Sequence, residues 1–158
     1  MSIAANVPLK LGTTDAGEIL TLQRAAYVTE AQAHDDLGMP PLTQTLDQLR
    51  AELADPACAA WGIRENGRLV ASVRVRLSEE TAEIGRLVVA PDRQGHGLGT
   101  ALLRTAETEL PDSVTVIRLF TGEHSLANLR LYTRLGYRET ERTPAGNYQL
   151  VHLAKTRP

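Results

Sequence analysis

A glycine-rich turn is the part of this 158-residue chain whose residue types point most directly to chemistry. It joins an apolar strand to an apolar helix and reads Val89-Ala90-Pro91-Asp92-Arg93-Gln94-Gly95-His96-Gly97-Leu98-Gly99-Thr100. The N–H groups at a helix start point outward and carry about half a positive charge, so such a turn suits a phosphate or pyrophosphate. Glycine lets a ligand approach the backbone and also adopts positive φ. The turn therefore predicts an anion site, with a connection that binds nothing as the open alternative.

Two common phosphate motifs do not fit this turn. The dinucleotide fingerprint G-x-G-x-x-G would need its third glycine at position 100, where the chain has Thr100. The P-loop needs Gly-Lys followed by Ser or Thr, and the chain contains no Gly-Lys pair. The sequence therefore disfavours both of these nucleotide-binding classes.

The whole segment instead resembles the acetyl-CoA signature of the GCN5-related N-acetyltransferase (GNAT) family. The match is Gln94-x-x-Gly97-x-Gly99, and residues 87–91 and 101–103 are also typical of the family. This resemblance implies that acetyl-CoA is the acetyl donor and that backbone amides of the loop hold its pyrophosphate. The loop residues so implied are Gln94, Gly95, His96, Gly97, Leu98, Gly99 and Thr100. The backbone of Leu87, Val88 and Val89 would pair with the pantetheine arm like an added strand.

A second segment, SLANLRLYTRLGY from Ser125 to Tyr137, resembles the family's N-x-x-L-Y-x-x-x-G-[FY] ending. By that resemblance Tyr132 lies near the CoA sulfur, where its hydroxyl would protonate the departing thiolate as a general acid. Asn128, one helical turn earlier, would hydrogen-bond the cofactor. The open alternative is that Tyr132 is a core aromatic residue packed beside its leucine neighbours.

The acceptor side gives weaker signals. An amine attacks only when neutral, and an ordinary alkylamine has a pKa near 10, so a base or a water chain is needed. Glu83 is the candidate base, because relatives often have a carboxylate on that strand; the alternative is a solvent-facing strand residue. Tyr27 and Glu30 are candidate acceptor-binding residues, since the family builds its acceptor pocket partly from the first two helices. The same regions contribute further residues, some of them acids that could attract a cationic amine: His34, Asp35, Asp36 and Trp61.

The predicted function is direct transfer of an acetyl group from acetyl-CoA to a primary amine of an unidentified small molecule or peptide. Two alternatives stay open: a catalytically silent acyl-CoA-binding or regulatory module, and a transferase for a longer acyl group. No metal site is predicted, because Cys58 is the only cysteine and the histidines at 34, 124 and 152 have no metal-like spacing.

The elements that must position these residues follow from hydrophobic periodicity and turn residues. A strand at 7–13 precedes two helices, each with an expected capping box, Asp15 with Glu18 and Thr45 with Gln48. Asn66-Gly67 predicts a hairpin before an alternating, half-buried strand at 69–77. The next strand, 81–90, contains Gly85 as the expected bulge.

The second half of the chain continues this alternation of strands and helices. Helical spacing at 98–110 and 125–135, the latter capped by Gly136, alternates with strands at 114–121, 137–142 and 147–155. The order β-α-α-β-β-β-α-β-α-β-β predicts an α/β fold with a mixed, mostly antiparallel sheet flanked by helices. This order also matches the GNAT pattern.

Length and composition limit the remaining possibilities. The length favours one domain over residues 1–158. A net charge of −2 with 4% aromatic residues disfavours a nucleic-acid partner. No apolar stretch reaches the roughly 20 residues of a membrane span, so a cytoplasmic protein without a membrane partner is expected. The resemblance also implies a possible homodimer.

Overall fold

The computed structural model describes residues 7–158. Its strands are β1 (Leu9–Leu11), β2 (Cys58–Glu65), β3 (Arg68–Ser78), β4 (Thr81–Val89), β5 (Val116–Gly122), β6 (Arg138–Ala145) and β7 (Tyr148–Thr156). Its α-helices are α1 (Ala16–His34), α2 (Pro40–Thr43), α3 (Leu46–Ala54), α4 (Leu98–Thr108) and α5 (Leu126–Arg134). Short 3₁₀ turns precede α1 and α4, at Thr13–Asp15 and Pro91–Arg93.

All seven strands form one sheet in the order β1-β2-β3-β4-β5-β7-β6. Every neighbouring pair is antiparallel except β4 and β5, which run parallel. The predicted mixed, mostly antiparallel α/β fold is therefore confirmed. The short helix α2 is an addition to the predicted order, and it lies in the segment between the first two predicted helices.

The strand β3 was predicted to be half-buried, and this prediction is wrong. Residues 69–75 are all buried, including Arg74, whereas Arg76 is exposed. Arg74 bonds side chains of α1 and α3, so it faces those helices, and alternation directs Val73 to the opposite face. Helix α4 packs on β2, β3 and β4. A central strand with helices on both sides therefore buries both of its faces.

The helix ends match the predictions in two places and differ in one. At α3, Thr45 accepts a hydrogen bond from the Gln48 amide and Gln48 returns one to the Thr45 amide, as predicted. At α5, Gly136 has φ +98° and the Tyr137 amide donates to Tyr132 O at 3.0 Å, which confirms the glycine cap.

The capping box expected at Asp15 and Glu18 does not form. Asp15 instead reaches back to the Gly12 amide at 2.8 Å and so closes the 3₁₀ turn before the helix. Glu18 makes two bonds of 2.7 and 2.9 Å with Arg64 of β2. Arg64, which is distant in the sequence, thus binds the Glu18 carboxylate that the local pattern assigned to the helix cap.

The bulge in β4 lies one residue later than Gly85. The pairing with β3 shifts by one residue here, so Arg86 and Leu87 together lie opposite Val73. Arg86 carries the left-handed conformation, with φ +52°, and Gly85 does not. Bulges increase the local twist and bend of a strand, so this one changes the course of β4.

The strands β4 and β5 separate just before the bulge. Their parallel pairing runs only from Thr81 with Val116 to Glu83 with Arg118, although the strands continue to Val89 and to residue 122. The resulting gap, here called the β4–β5 opening, lies at the carboxyl ends of both strands. Within the described residues, none of the helices is both long enough and apolar enough to cross a bilayer.

Candidate active site

The glycine loop, residues 94–100, forms one wall of the β4–β5 opening. Gly95 and Gly97 both have φ +80°, a conformation that residues with a Cβ rarely adopt. Gly97 is the N-cap of α4 and supplies no side-chain cap, so the amides of the first helical turn stay available. A Cβ added at either glycine would meet no atom within 4 Å, so the space above them is open. The loop therefore has the backbone geometry of an anion site.

Two ion pairs between side chains hold the glycine loop in place. Arg93 makes a two-pronged ion pair with Glu65 of β2, at 2.7 and 2.9 Å, and Arg68 makes another with Asp92, at 2.9 and 2.6 Å. Arg93 lowers the pKa of the Glu65 carboxyl, and Arg68 lowers that of Asp92 to about 2. These pairs fasten the loop to the β2–β3 hairpin.

Two other loop side chains bond to the backbone near by. The Gln94 Nε2 donates to Val89 O at 3.3 Å, which ties the loop to the end of β4. The His96 ring lies against its own loop, with Nδ1 at 2.9 Å from Gln94 O. Both contacts give these residues a role in shaping the loop.

The edge of β4 next to the loop presents backbone groups to the opening. Val88 pairs with Ser72 of β3, and the next bond to β3 comes from the Ala90 amide, two residues on. Because backbone groups alternate sides along an antiparallel strand, those of Leu87 and Val89 face away from β3. The backbone of Val88 therefore hydrogen-bonds within the sheet. The outward backbone groups of the residues on either side of it could bond to an extended ligand, which would lie as an added strand.

Tyr132 lies on the other side of the opening. Its side chain is buried in the core, but its hydroxyl makes no hydrogen bond within residues 7–158. Burial raises the pKa of this hydroxyl well above its ordinary value, and the nearby Tyr27 and Glu30 of α1 add to the effect. The structure thus brings these three predicted residues together, although they are about a hundred positions apart in the sequence.

Two contacts brace this side of the opening. The Ser125 hydroxyl, at the start of α5, donates to the Glu30 carboxylate of α1. Asn128 donates to Thr121 of β5 at 3.4 Å. Both predicted residues thus have structural partners: Glu30 ties α1 to α5, and Asn128 ties α5 to the sheet.

Two cavities lie on the acceptor side and share Glu83 and Phe120. The smaller one, of about 210 Å³, is bounded by Tyr27, β3, β4 and part of α3. The larger one, of about 380 Å³, runs along β5, β6 and β7. Glu83 is exposed and contributes to both cavities, so its carboxylate is accessible to a ligand in either.

A buried polar network in the wall of the smaller cavity was missed by the sequence analysis. Arg74 is only 4% exposed; its Nε donates to Glu52 at 2.7 Å and its Nη2 to Gln23 at 3.0 Å. Gln44 bonds the second oxygen of Glu52 at 2.8 Å. Burial raises the pKa of Glu52, but Arg74 and Gln44 outweigh it and hold that pKa below its ordinary value. The signal available in the sequence was Arg74, the one charged residue in the stretch 69–75. Alternation alone assigned its side chain to the solvent face.

Arg86, at the bulge, is the second residue that sequence reasoning missed. It lines the smaller cavity, and its Nε is buried without a hydrogen-bond partner in the described part of the chain. Burial raises the pKa of the Tyr27 hydroxyl, and the adjacent Arg86 guanidinium opposes that rise. Arg86 therefore brings a positive charge to the acceptor side; this charge lies beside the Tyr27 hydroxyl and forms no ion pair among the described residues.

The other expected acceptor residues have partners within the protein. His34 is buried; its Nδ1 lies 2.8 Å from Glu30 O and its Nε2 accepts from the His124 amide at 3.0 Å. Asp36 accepts from Tyr148 at 2.7 Å. Trp61 lies in β2 beside Lys10, away from this group. The attraction of a cationic amine by acids in this region stays a prediction. Among the described residues, no three His, Cys, Asp or Glu side chains group to hold a metal ion.

Comparison with known proteins agrees with this geometry. The model of the acetyltransferase (GNAT) family matches residues 21–137. The chain is 30% identical over 140 residues to the UPF0157 protein YqkA of Bacillus subtilis (strain 168), covering 89% of this chain and 39% of that protein. It is 33% identical over 134 residues to a mycothiol acetyltransferase of Kineococcus radiotolerans, covering 82% of this chain and 41% of that protein. The chain thus spans about two-fifths of the length of these relatives.

A solved structure shares the fold over almost the whole chain. PaiA N-acetyltransferase from Thermoplasma acidophilum, in complex with coenzyme A, superposes with a TM-score of 0.79 at 15% identity. The match covers 95% of this chain and 98% of that one. At this identity the similarity establishes the fold alone.

Proposed function

The chain belongs to the GNAT family of acetyltransferases, and on that premise we propose that it transfers the acetyl group of acetyl-CoA directly to a primary amine. Residues 1–158 would act as one domain. The observation that carries the proposal is the β4–β5 opening, with the glycine loop on one side and the unpaired Tyr132 hydroxyl on the other.

The residues around the opening fit a bound acetyl-CoA, which would supply the acetyl thioester. The uncapped amides of the loop, from Gln94 to Thr100, would bind the pyrophosphate at the N-terminus of α4. The outward backbone groups of Leu87 and the Val89 amide would bind the amide-containing arm, while the Val89 carbonyl keeps its bond from Gln94. Asn128 would hold the arm from α5 while keeping its contact with Thr121.

Tyr132 would act as the general acid. A raised pKa keeps its hydroxyl protonated at neutral pH, which is the state that a proton donor needs. In the transfer a nitrogen–carbon bond forms and the carbon–sulfur bond breaks; the sulfur takes the Tyr132 proton, and the proton that the nitrogen loses after attack returns to the Tyr132 oxygen. Glu83 would take the proton of the acceptor ammonium, since its carboxylate is exposed in both acceptor cavities.

Two variants test these two roles separately. Tyr132→Phe should lower kcat about 10²–10⁴-fold, the usual contribution of a positioned acid, while acetyl-CoA binding by titration calorimetry changes little. Glu83→Gln should lower kcat/KM for the amine most at low pH, where the acceptor is charged. Unchanged turnover in Tyr132→Phe would remove its assigned role.

The first measurement is calorimetric titration with acetyl-CoA, followed by thiol release on a panel of primary amines. Binding with thiol release is expected. Binding without release on any amine would favour a silent acyl-CoA-binding module, and release with longer acyl-CoA donors only would identify a different acyltransferase. A homodimer and a cytoplasmic location remain predictions, the former checked by light scattering of the purified protein.

A further inference from the structure

The smaller cavity contains one cation, Arg86, and one carboxylate, Glu83, that form no ion pair in the part of the chain that the structure describes. Three arginines and two glutamates line it. Arg74 is paired with Glu52 at 2.7 Å, and Arg76 is paired with Asp55 at 3.0 Å. Neither Arg86 nor Glu83 takes part in an ion pair within residues 7–158.

Arg86 does not pair with the nearby Glu52. Glu52 is close enough for the Arg86 charge to lower its pKa, but its two oxygens already accept from Arg74 and Gln44. The Arg86 Nε is buried and has no partner among the described residues. A buried N–H without a partner costs free energy, so in proteins such groups are usually satisfied by a ligand or by water.

The backbone also holds this guanidinium at the site. Arg86 occupies the bulge itself, in a left-handed conformation that is unfavourable for a residue with a side chain. The bulge directs the side chain towards Tyr27, whose hydroxyl also lies close to Tyr132. Arg86 is therefore adjacent to the position where the acceptor would meet the thioester.

The cavity is also small. Its volume of about 210 Å³ lies below the range of roughly 300–1,000 Å³ that is usual for drug-sized ligands. A compact acceptor fits this space better than an oligosaccharide or a folded protein segment does. A planar guanidinium with several donors matches a carboxylate in two-pronged geometry.

We propose that the acceptor is amino acid-like, a small primary amine that also carries a carboxylate, and that Arg86 binds this carboxylate. The proposal rests on the acetyl-transfer function proposed above and adds the substrate class. Glu83 would receive the ammonium end of the same molecule, so the two unpaired charges of the cavity would be neutralised by one zwitterion. Arg86 is thus a specificity-determining residue.

The test compares free amino acids with their carboxamides, which keep the amine and lose the negative charge. The measured quantity is the ratio of kcat/KM for each acid to that for its amide, from thiol release. Arg86→Gln should lower this ratio about 10- to 100-fold, the value of one charge-assisted contact, and Arg86→Lys should restore part of it. Comparing ratios between variants cancels the difference in amine pKa between acid and amide. Arg50→Gln, on the exposed side of α3, is the matched control and should leave the ratio unchanged.

A binding measurement separates this proposal from the transfer reaction itself. Calorimetry of N-acetyl amino acids and their amides, with and without saturating CoA, needs no turnover. Wild-type protein should bind the acids more tightly, and Arg86→Gln should abolish that preference. Equal affinity for acid and amide in the wild type would overturn the carboxylate site even if amines are acetylated. A retained preference without thiol release on any amine would instead count against the transfer function alone.

Discussion

The two sides of the β4–β5 opening are built in different ways. On the donor side, the glycine loop and the edge of β4 present backbone groups, and all of them come from residues 87–100. On the acceptor side, the surfaces are side chains from α1, α3, β2, β3, β4 and β5. Recognition through the backbone is therefore carried by one continuous segment, whereas recognition through side chains depends on packing between distant segments.

Of the substitutions considered, Arg74→Met should lower the free energy of unfolding most. Its effect should be confined to the acceptor side. Removing this guanidinium leaves Glu52 without its cation in a largely buried setting, which typically costs about 3–5 kcal/mol. Urea unfolding should show that loss. Acetyl-CoA affinity, measured by calorimetry below the unfolding transition, should change less than about threefold because the donor side is not touched.

Arg76→Met is the matched control for this prediction. Its pair with Asp55 is nearly half exposed on both sides, and exposed pairs contribute only about 0–1 kcal/mol. Equal destabilisation by the two substitutions would show that the Arg74 network does not hold the acceptor wall.

These two sides also explain what could be predicted from the sequence. The glycine loop, the Thr45 cap and the Gly136 cap depend on neighbours a few residues away, and the local pattern was sufficient for each. The roles of Arg74 and Arg86 depend on which helices cover each face of the sheet. Alternation assigns one face of β3 to solvent, and only the packing of α1 and α3 reverses that assignment.

Gly97→Val tests the donor side in the same manner. A β-branched residue is strained at φ +80°, and its side chain would stand over the amides of the first turn of α4. Acetyl-CoA affinity should fall about 100-fold, corresponding to one lost hydrogen bond to a charged group at the strong end of the usual range. Calorimetry measures this change directly.

Gly146→Val provides the comparison for strain alone. Gly146 also has positive φ, +68°, and open space around it, but it lies in the β6–β7 turn. Both variants should lose a similar amount of stability, and only Gly97→Val should lose affinity for acetyl-CoA. A similar loss of affinity in both would mean that the loop amides are not the anion site.

The pH dependence of stability gives a final test with a smaller expected effect, because one carboxylate with a lowered pKa lies on each side of the β4–β5 opening. Both Glu52 and Asp92 have lowered pKa values in the folded protein. A lowered folded-state pKa stabilises the protein above the unfolded value, near 4.5 for Glu52, and this contribution is lost as the pH falls through the folded value. Glu52→Gln should therefore cost about 1–3 kcal/mol at pH 7, and the difference from wild type should shrink below about pH 4.5.

Asp92 should behave differently although its pKa, about 2, is also low. Its partner Arg68 is 54% exposed and Asp92 is 62% exposed, so water and salt screen the pair. Asp92→Asn should leave the melting temperature unchanged at 0.5 M NaCl, whereas Glu52→Gln should lower it at low and high salt alike. If the effect of Glu52→Gln on the melting temperature disappeared at high salt, solvent would reach the acceptor network. The contrast between a packed acceptor side and an open donor side would then be lost.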